Sequence, residues 1–239
     1  MISLAIANYD RVEMTIESFI QVLGNALVGE IIIQDDFSDV NKYAKLWNLI
    51  QGLNTDKVKL YRNVENIGPF LNKYKVVKQC NNEWCILLDC DNIIDNDYIE
   101  KVSNLEKDKD TIYCPEVMYK LNKEGVNWTY KEFNTLDIDR TNVKEHIDNS
   151  VFSTWLNTGN YFFNRQRYTD VVEQTVLDVR LSTLDSFYFS YLWLLQGYKL
   201  KIVPELSYIH RVHDGSYYLN NRKALRSVFD IIKTKIKEL

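Results

Sequence analysis

Residues Trp84-Cys85-Ile86-Leu87-Leu88-Asp89-Cys90-Asp91-Asn92 decide how this chain is read. An apolar run of strand length ends directly in two carboxylates one residue apart. Side chains two apart on an extended backbone share a face, so Asp89 and Asp91 can converge on one hard cation at the carboxyl end of a strand. In an open α/β sheet that edge is where ligands bind. Mg²⁺ or Mn²⁺ divides its coordination between one or two carboxylates and substrate phosphates, which this pattern offers. Taken alone, the same residues equally describe a solvated turn with an Asx cap.

On either side of this stretch, strands and helices alternate. Residues 2–7 read as a strand, and Val12, Ile16, Phe19, Ile20 and Leu23 recur at helical spacing before Gly24 and Asn25. Glu30 to Gln34 form a second strand, Asp39 to Leu53 a helix, and Val58 to Tyr61 a third strand. Pro69 to Cys80 form a helix with proline at its start, and Trp84 to Leu88 the fourth strand. The pattern predicts an α/β fold with a mostly parallel central sheet flanked by helices. After Asp97 the rhythm breaks into a charged helix or loop near 98–110, a strand at Thr111 to Glu116 and a polar stretch from Asn122 to Asn149. A short strand at 160–164, an amphipathic helix at 182–196 and a strand at 199–203 stopped by Pro204 follow. From Leu219 a last helix places Leu225, Val228, Phe229, Ile232 and Ile236 on one stripe. The division expected is a ligand-binding half at 1–97, an elaborated half of the same domain at 98–218, and the helix at 219–239.

Bulk composition bounds the function. With 239 residues, 46% hydrophobic and 26% charged, the chain is long enough for one large domain and has no stretch of membrane-spanning length. A formal charge of -4 argues against a nucleic-acid partner, which needs a basic surface. The opening Met1-Ile2-Ser3-Leu4 lacks a basic leader region, so a cytoplasmic chain is expected. Cys80, Cys85, Cys90 and Cys114 lack zinc-type pairing and read as buried free thiols. The last helix carries Arg222, Lys223, Arg226, Lys233, Lys235 and Lys237 beside its apolar stripe. Such a helix either docks on the core with a solvated basic face or lies on the inner face of an anionic membrane.

Two further strand ends carry polar clusters. Asp35-Asp36-Phe37-Ser38-Asp39 follows the second strand, and Asn8-Tyr9-Asp10-Arg11 the first, so three strand ends point at one cleft. A carboxylate there can accept a hydrogen bond from a base N–H, while Ser38 or Asp39 can simply cap the next helix.

At this point the residues resemble the inverting glycosyltransferase family 2, with the GT-A fold, in order along most of the chain. Ser3 to Arg11 is similar to the family's opening strand and turn. Glu30-Ile31-Ile32-Ile33-Gln34-Asp35-Asp36-Phe37-Ser38-Asp39 resembles its double-aspartate segment, and Asn66-Ile67-Gly68 its N-x-G. Trp84 to Asn92 resembles its D-x-D strand, and Thr158 to Arg165 the glycine-containing strand beside the acceptor site. Leu184-Asp185-Ser186-Phe187 is similar to its E-D segment, with Leu184 in place of the glutamate. Gly197-Tyr198-Lys199 to Pro204-Glu205 and His210-Arg211-Val212-His213-Asp214-Gly215-Ser216 resemble its closing strand and basic segment.

The resemblance implies transfer of a sugar from a UDP- or GDP-sugar to an acceptor hydroxyl on a glycan or lipid-linked molecule, with Mn²⁺ or Mg²⁺ as cofactor. It assigns Asp185 as the catalytic base. Asn8, Tyr9, Arg11, Asp36, Asn66, Gly68, Lys73, Asp89 and Arg211 would bind the nucleotide sugar, with Asp36 on the base. Trp155, Gly159 and Asn160 would border the acceptor, and Asp91, Asp89 and His213 would hold the metal, His213 ahead of His210. On residues alone, Asp185 also reads as a helix-start carboxylate, with Asp178 and Glu173 the next bases in line, and Trp128 and Trp155 as core or sugar platforms. A nucleotidyltransferase would also use carboxylates and a metal but needs a glycine-rich basic loop after the first strand. A non-catalytic nucleotide-sugar-binding module would keep Asp36, Asp89 and Asp91 and dispense with Asp185.

Overall fold

The computed structural model describes residues 1–121, 128–211, 213 and 217–239, without the side chains of 217–220 and 222. Residues 122–127 of the polar stretch, Val212, residues 214–216 and the Arg222 side chain, all named above, lie outside the described residues. The first half runs β1 (Ile2–Asn8), α1 (Val12–Phe19), β2 (Val28–Asp35), α2 (Val40–Gly52), β3 (Val58–Arg62), α3 (Pro69–Lys78) and β4 (Trp84–Asp89). Then come α4 (Asn96–Ser103), β5 (Thr111–Leu121), β6 (Trp128–Thr129), β7 (Asp137–Ile138), α5 (Val143–His146) and α6 (Ser150–Leu156). The chain ends with β8 (Phe162–Asn164), α7 (Arg165–Glu173), α8 (Asp185–Leu195), β9 (Lys199–Arg211) and α9 (Tyr217–Lys237).

The described strands form one sheet in the order β3-β2-β1-β4-β8-β5-β9-β7, with β6 on β5. β1, β2, β3 and β4 are mutually parallel, as are β5 and β9, while β8 runs antiparallel between β4 and β5. A sheet covered on both faces needs apolar residues at successive positions, because alternate side chains enter opposite cores. Leu4, Ile6, Ile31, Ile33, Ile86 and Leu88 pack on one face with Phe19, Leu46 and Tyr98 from α1, α2 and α4. Ala5, Ile32, Cys85 and Leu87 point to the other, against Val76, Tyr168, Phe187 and Ile232 from α3, α7, α8 and α9. The parallel register aligns Ala7 with Asp89 and Asn8 with Asp35, so the polar residues after all three apolar runs emerge at one edge.

Four expectations change in the second half. β9 does not stop at Pro204 but continues to Arg211. A bulge absorbs the proline: Val203 pairs with Pro115 and Ser207 with Val117, Glu205 takes φ 61, and its N–H donates to buried Glu116 Oε2 at 3.0 Å. The polar stretch is pinned by Tyr130, Phe133, Ile138, Val143 and Ile147, all buried. α8 is a core helix rather than an amphipathic one, with Phe187, Tyr188, Phe189, Leu192, Trp193 and Leu194 all buried. α6 and α7 were not visible as helices in the sequence.

α9 spends its apolar stripe on the core. Leu225, Val228, Ile232 and Ile236 are buried, Phe229 stacks on Phe187 at 4.5 Å, and Lys233 and Lys237 pair with Asp148. The stripe thus follows the core-docked reading of this helix, and no helix among the described residues is long and apolar enough to cross a membrane. The four cysteines are free and buried, as composition suggested.

Trp155 is likewise core. It is 1% exposed and packs edge-on to Phe152 at 5.3 Å, which is the core alternative of its two readings. Trp155→Ala should cost about 3–5 kcal/mol of stability in urea denaturation, as for other large core truncations, and leave nucleotide affinity of the folded protein unchanged.

Candidate active site

The double aspartate after β2 builds the floor of the cleft. Asp35 is fully buried and accepts from Asn8 Nδ2 at 2.7 Å, from Ser38 N at 3.0 Å and from the Ser38 hydroxyl, with Arg62 Nε 3.5 Å away. Asn8 Oδ1 in turn accepts from Thr15 Oγ1 at 2.9 Å and Arg11 N at 3.3 Å. Asn8 is 2% exposed, and its amide bonds Asp35, Thr15 and Arg11, which shapes the turn. Tyr9 and Phe37, 47% and 48% exposed, flank it, and Phe37 holds the left-handed φ of 64°.

Asp36 accepts from Asn63 Nδ2 at 2.8 Å and from the backbone N–H groups of Ile67 and Gly68, each at 2.9 Å. It therefore staples the 63–68 loop, where Asn66 Oδ1 also accepts from Gly68 N at 3.2 Å. Gly68, at φ 81, turns the chain into Pro69 and so starts α3, a conformation that favours glycine. Asn72 on α3 donates to Gln34 O at 3.0 Å and accepts from Asn63 at 3.0 Å, fixing the helix over the ends of β1 and β2. Asn63 and Asn72 were missed in the sequence, because a single asparagine in a loop or helix carries no pattern.

The next residue, Lys73, is the electrostatic centre. Its side chain is 9% exposed and its Nζ lies 2.7 Å from Asp89 Oδ1 and 2.7 Å from Asp185 Oδ2. Burial alone would lower its pKa, but Asp185 and Asp89 outweigh it and hold the ammonium well above the usual lysine range. The Asp89 side chain is 32% exposed; partial desolvation would raise its pKa, yet Lys73, with smaller help from His210 and Arg11, holds it below the usual value. A small cavity lined by Phe70, Leu87, Tyr161, Tyr168 and Phe189 adjoins Lys73 and Asp185. The alternatives lie elsewhere: Glu173 binds Tyr74 and Lys78, and Asp178 accepts from Arg180 N and Leu181 N.

Asp89 and Asp91 part company. Asp91 Oδ2 stands 3.1 Å from His213 Nε2 and 3.6 Å from Arg11 Nε, whereas Asp89 faces Lys73. His210 Nδ1 is 3.0 Å from Asn92 Oδ1, and burial lowers its pKa, so the ring is neutral at neutral pH. Arg211, expected on the donor, pairs with Glu17 Oε2 at 2.6 Å and donates its N–H to Asn92 Oδ1 at 3.3 Å. Lys120, opposite His210 on β5 and 5.1 Å over the Trp128 ring, adds a cation near this end that the sequence did not single out.

Gly159 and Asn160, expected beside the acceptor, both lie against Asp89. A Cβ at Gly159 would lie 2.7 Å from Asp89 Oδ2. Asn160 is 1% exposed; its Oδ1 accepts from Asp89 N at 3.1 Å and its backbone oxygen from Tyr98 OH at 2.6 Å. Gly159→Ala should displace the Asp89 carboxylate and lower turnover by roughly 10²-fold, the scale of an ångström misplacement, with little change in melting temperature.

Residues 3–175 match the Glycosyl transferase family 2 sequence profile. No curated protein matches by sequence. Among solved structures, S. aureus TarS 1-349 superposes with TM-score 0.65 at 14% identity, over 98% of this chain and 64% of that one. TarS 1-349 in complex with UDP-GlcNAc gives 0.68 at 15%, over 98% and 66%. GalNAc-T7 with UDP, GalNAc and Mn²⁺ gives 0.61 at 16%, over 89% and 44%. This chain thus spans under two thirds of the length of each of these, and the shared architecture is the GT-A fold. With most of its length matched by the family profile, including both acidic strand ends, the chain belongs to glycosyl transferase family 2.

Proposed function

We propose that this chain transfers a sugar from a nucleoside diphosphate sugar to an acceptor hydroxyl by direct displacement with inversion at the anomeric carbon. The observation that carries this reading is the shared ammonium: Asp185, from the second half of the chain, is held beside Asp89 at the end of the donor strand by one buried lysine. A base at that point can take the acceptor proton while the diphosphate leaves toward Asp91. A binding module would have no use for a carboxylate kept there. A nucleotidyltransferase would need a phosphate-cradling loop after β1, where Asn8 is instead sealed into the turn and Arg11 faces Asp91.

A divalent cation fits Asp91 and His213, an oxygen and a nitrogen 3.1 Å apart at the cleft edge. Among the described residues no three His, Cys, Asp or Glu side chains cluster, so remaining positions would fall to diphosphate oxygens and water, the usual arrangement for Mg²⁺ or Mn²⁺ beside phosphates. When bound, the metal supplies charge neutralisation of the departing diphosphate. The relatives support a UDP-linked donor, since TarS binds UDP-GlcNAc and GalNAc-T7 is seen with UDP and Mn²⁺. On this reading Tyr9 and Phe37 offer ring surface to the base, and Asp36 shapes that pocket through the 63–68 loop.

Two measurements test the proposal. UDP affinity by calorimetry should depend on Mn²⁺ and fall by about tenfold or more in Asp91→Ala, the scale for losing a contact to a charged group; equal binding in EDTA would remove the metal from the mechanism. Asp185→Asn keeps size and loses basicity, so UDP should still bind while single-turnover sugar transfer falls by about 10²-fold or more. Transfer at the wild-type rate would leave Asp185 a helix-start residue only.

A further inference from the structure

We infer that Lys73 is a positioning residue that ties the base to the donor strand: it holds Asp185 against Asp89 and makes no contact with the donor. The inference rests on the proposed role of Asp185. A lysine ammonium has three hydrogens and no acceptor. In this structure all three are directed within the protein, to Asp89 Oδ1 at 2.7 Å, Asp185 Oδ2 at 2.7 Å and Ser186 Oγ at 3.4 Å. None is left for a diphosphate, which sets aside the donor-binding role that family position implied for this residue.

Asp185 depends on that contact. It is the first residue of α8, and the residue before it, Leu184, offers no side-chain cap. Among the described residues Lys73 is the hydrogen-bonding or ionic partner of the Asp185 carboxylate. The helix N-terminus favours a negative charge there but does not choose its rotamer. Lys73 does choose it, and its own position is fixed from the opposite side. Asp36 holds Gly68 and so the start of α3, and Asn72, one residue before Lys73, is bonded to Gln34 O and Asn63. The chain of contacts runs from the floor of the nucleotide pocket through α3 to the base.

Lys73→Met removes the charge and keeps the stem, while Lys73→Arg keeps the charge. Crystal structures of each with UDP and Mn²⁺, calorimetry with UDP, and single-turnover transfer separate the roles. In Lys73→Met the Asp185 carboxylate should leave its place beside Asp89, UDP affinity should change less than about threefold, and turnover should fall about 10²-fold. Lys73→Arg should restore the Asp185 position and part of the rate. The double variant with Asp185→Asn should be no slower than Asp185→Asn alone, because two residues acting as one unit are not additive. An Asp185 carboxylate that stays in place without Lys73, multiplicative losses in the double variant, or a tenfold loss of UDP affinity would each overturn the inference. If Lys73→Met does not fold, Lys73→Arg with Asp185 displaced and the rate unrestored has the same force. Failure of wild type to bind UDP, or full activity in Asp185→Asn, would instead strike the proposed function.

Discussion

One buried ammonium organises this molecule's cleft. Two carboxylates from separate halves of the chain, one ending a core strand and one starting a core helix, would repel each other when both lie 2.7 Å from one point. Lys73 between them turns that repulsion into attraction, and the surrounding structure is arranged to deliver it. α3 must begin at a fixed point, which Asp36 and Gly68 provide, and lie in a fixed orientation, which Asn72 provides. Gly159 must lack a side chain so that Asp89 can reach the lysine. The phenyl and phenol rings around the adjoining cavity keep the medium apolar, which strengthens each of these contacts.

The described cleft is self-neutralised. Asp91 faces Arg11 and His213, Arg211 faces Glu17, and Lys73 answers both Asp89 and Asp185. On the proposed function, an incoming diphosphate and any cation it brings would have to exchange partners with these pairs. Of these partners Glu17, 54% exposed, is the one most readily returned to water, whereas the Arg211 side chain is only 11% exposed. Lys73, with three internal partners and little solvent, does not exchange. The cleft thus divides into an exchangeable rim around Asp91 and a fixed centre around Asp89.

Much of this was legible in the sequence, and the limits have physical causes. The three apolar runs and their acidic ends gave the parallel half and its functional edge, because alternation of burial and strand polarity are local properties. The order of acidic and basic motifs placed Asp185 and His213 at the cleft. Lost to the sequence was the sorting of polar residues into those that face a ligand and those that face one another. Asn8, Asn160 and Trp155 looked like contacts and are buried at 2%, 1% and 1% exposure, while Asn63 and Asn72 looked like nothing and tie the strand ends to α3. Such roles depend on long-range pairs, as with Asn72 and Gln34. Pro204 shows the same point for a strand: proline ends a strand by local rules, yet a bulge and the buried Glu116 carry β9 seven residues further, to Arg211.

The four buried thiols give the native chain its own reporters. Cys80, Cys85 and Cys114 lie inside the sheet packing, and Cys90 sits between the two aspartates, where burial pushes its thiol up to about 12. A thiol kept protonated and out of water is inert toward a labelling reagent until the structure around it opens. Labelling of Cys90 therefore times the loosening of the cleft edge, and labelling of Cys85 and Cys114 the opening of the whole core. The two clocks can be read in one tube, and a ligand seated on Asp91 would slow the first without touching the second.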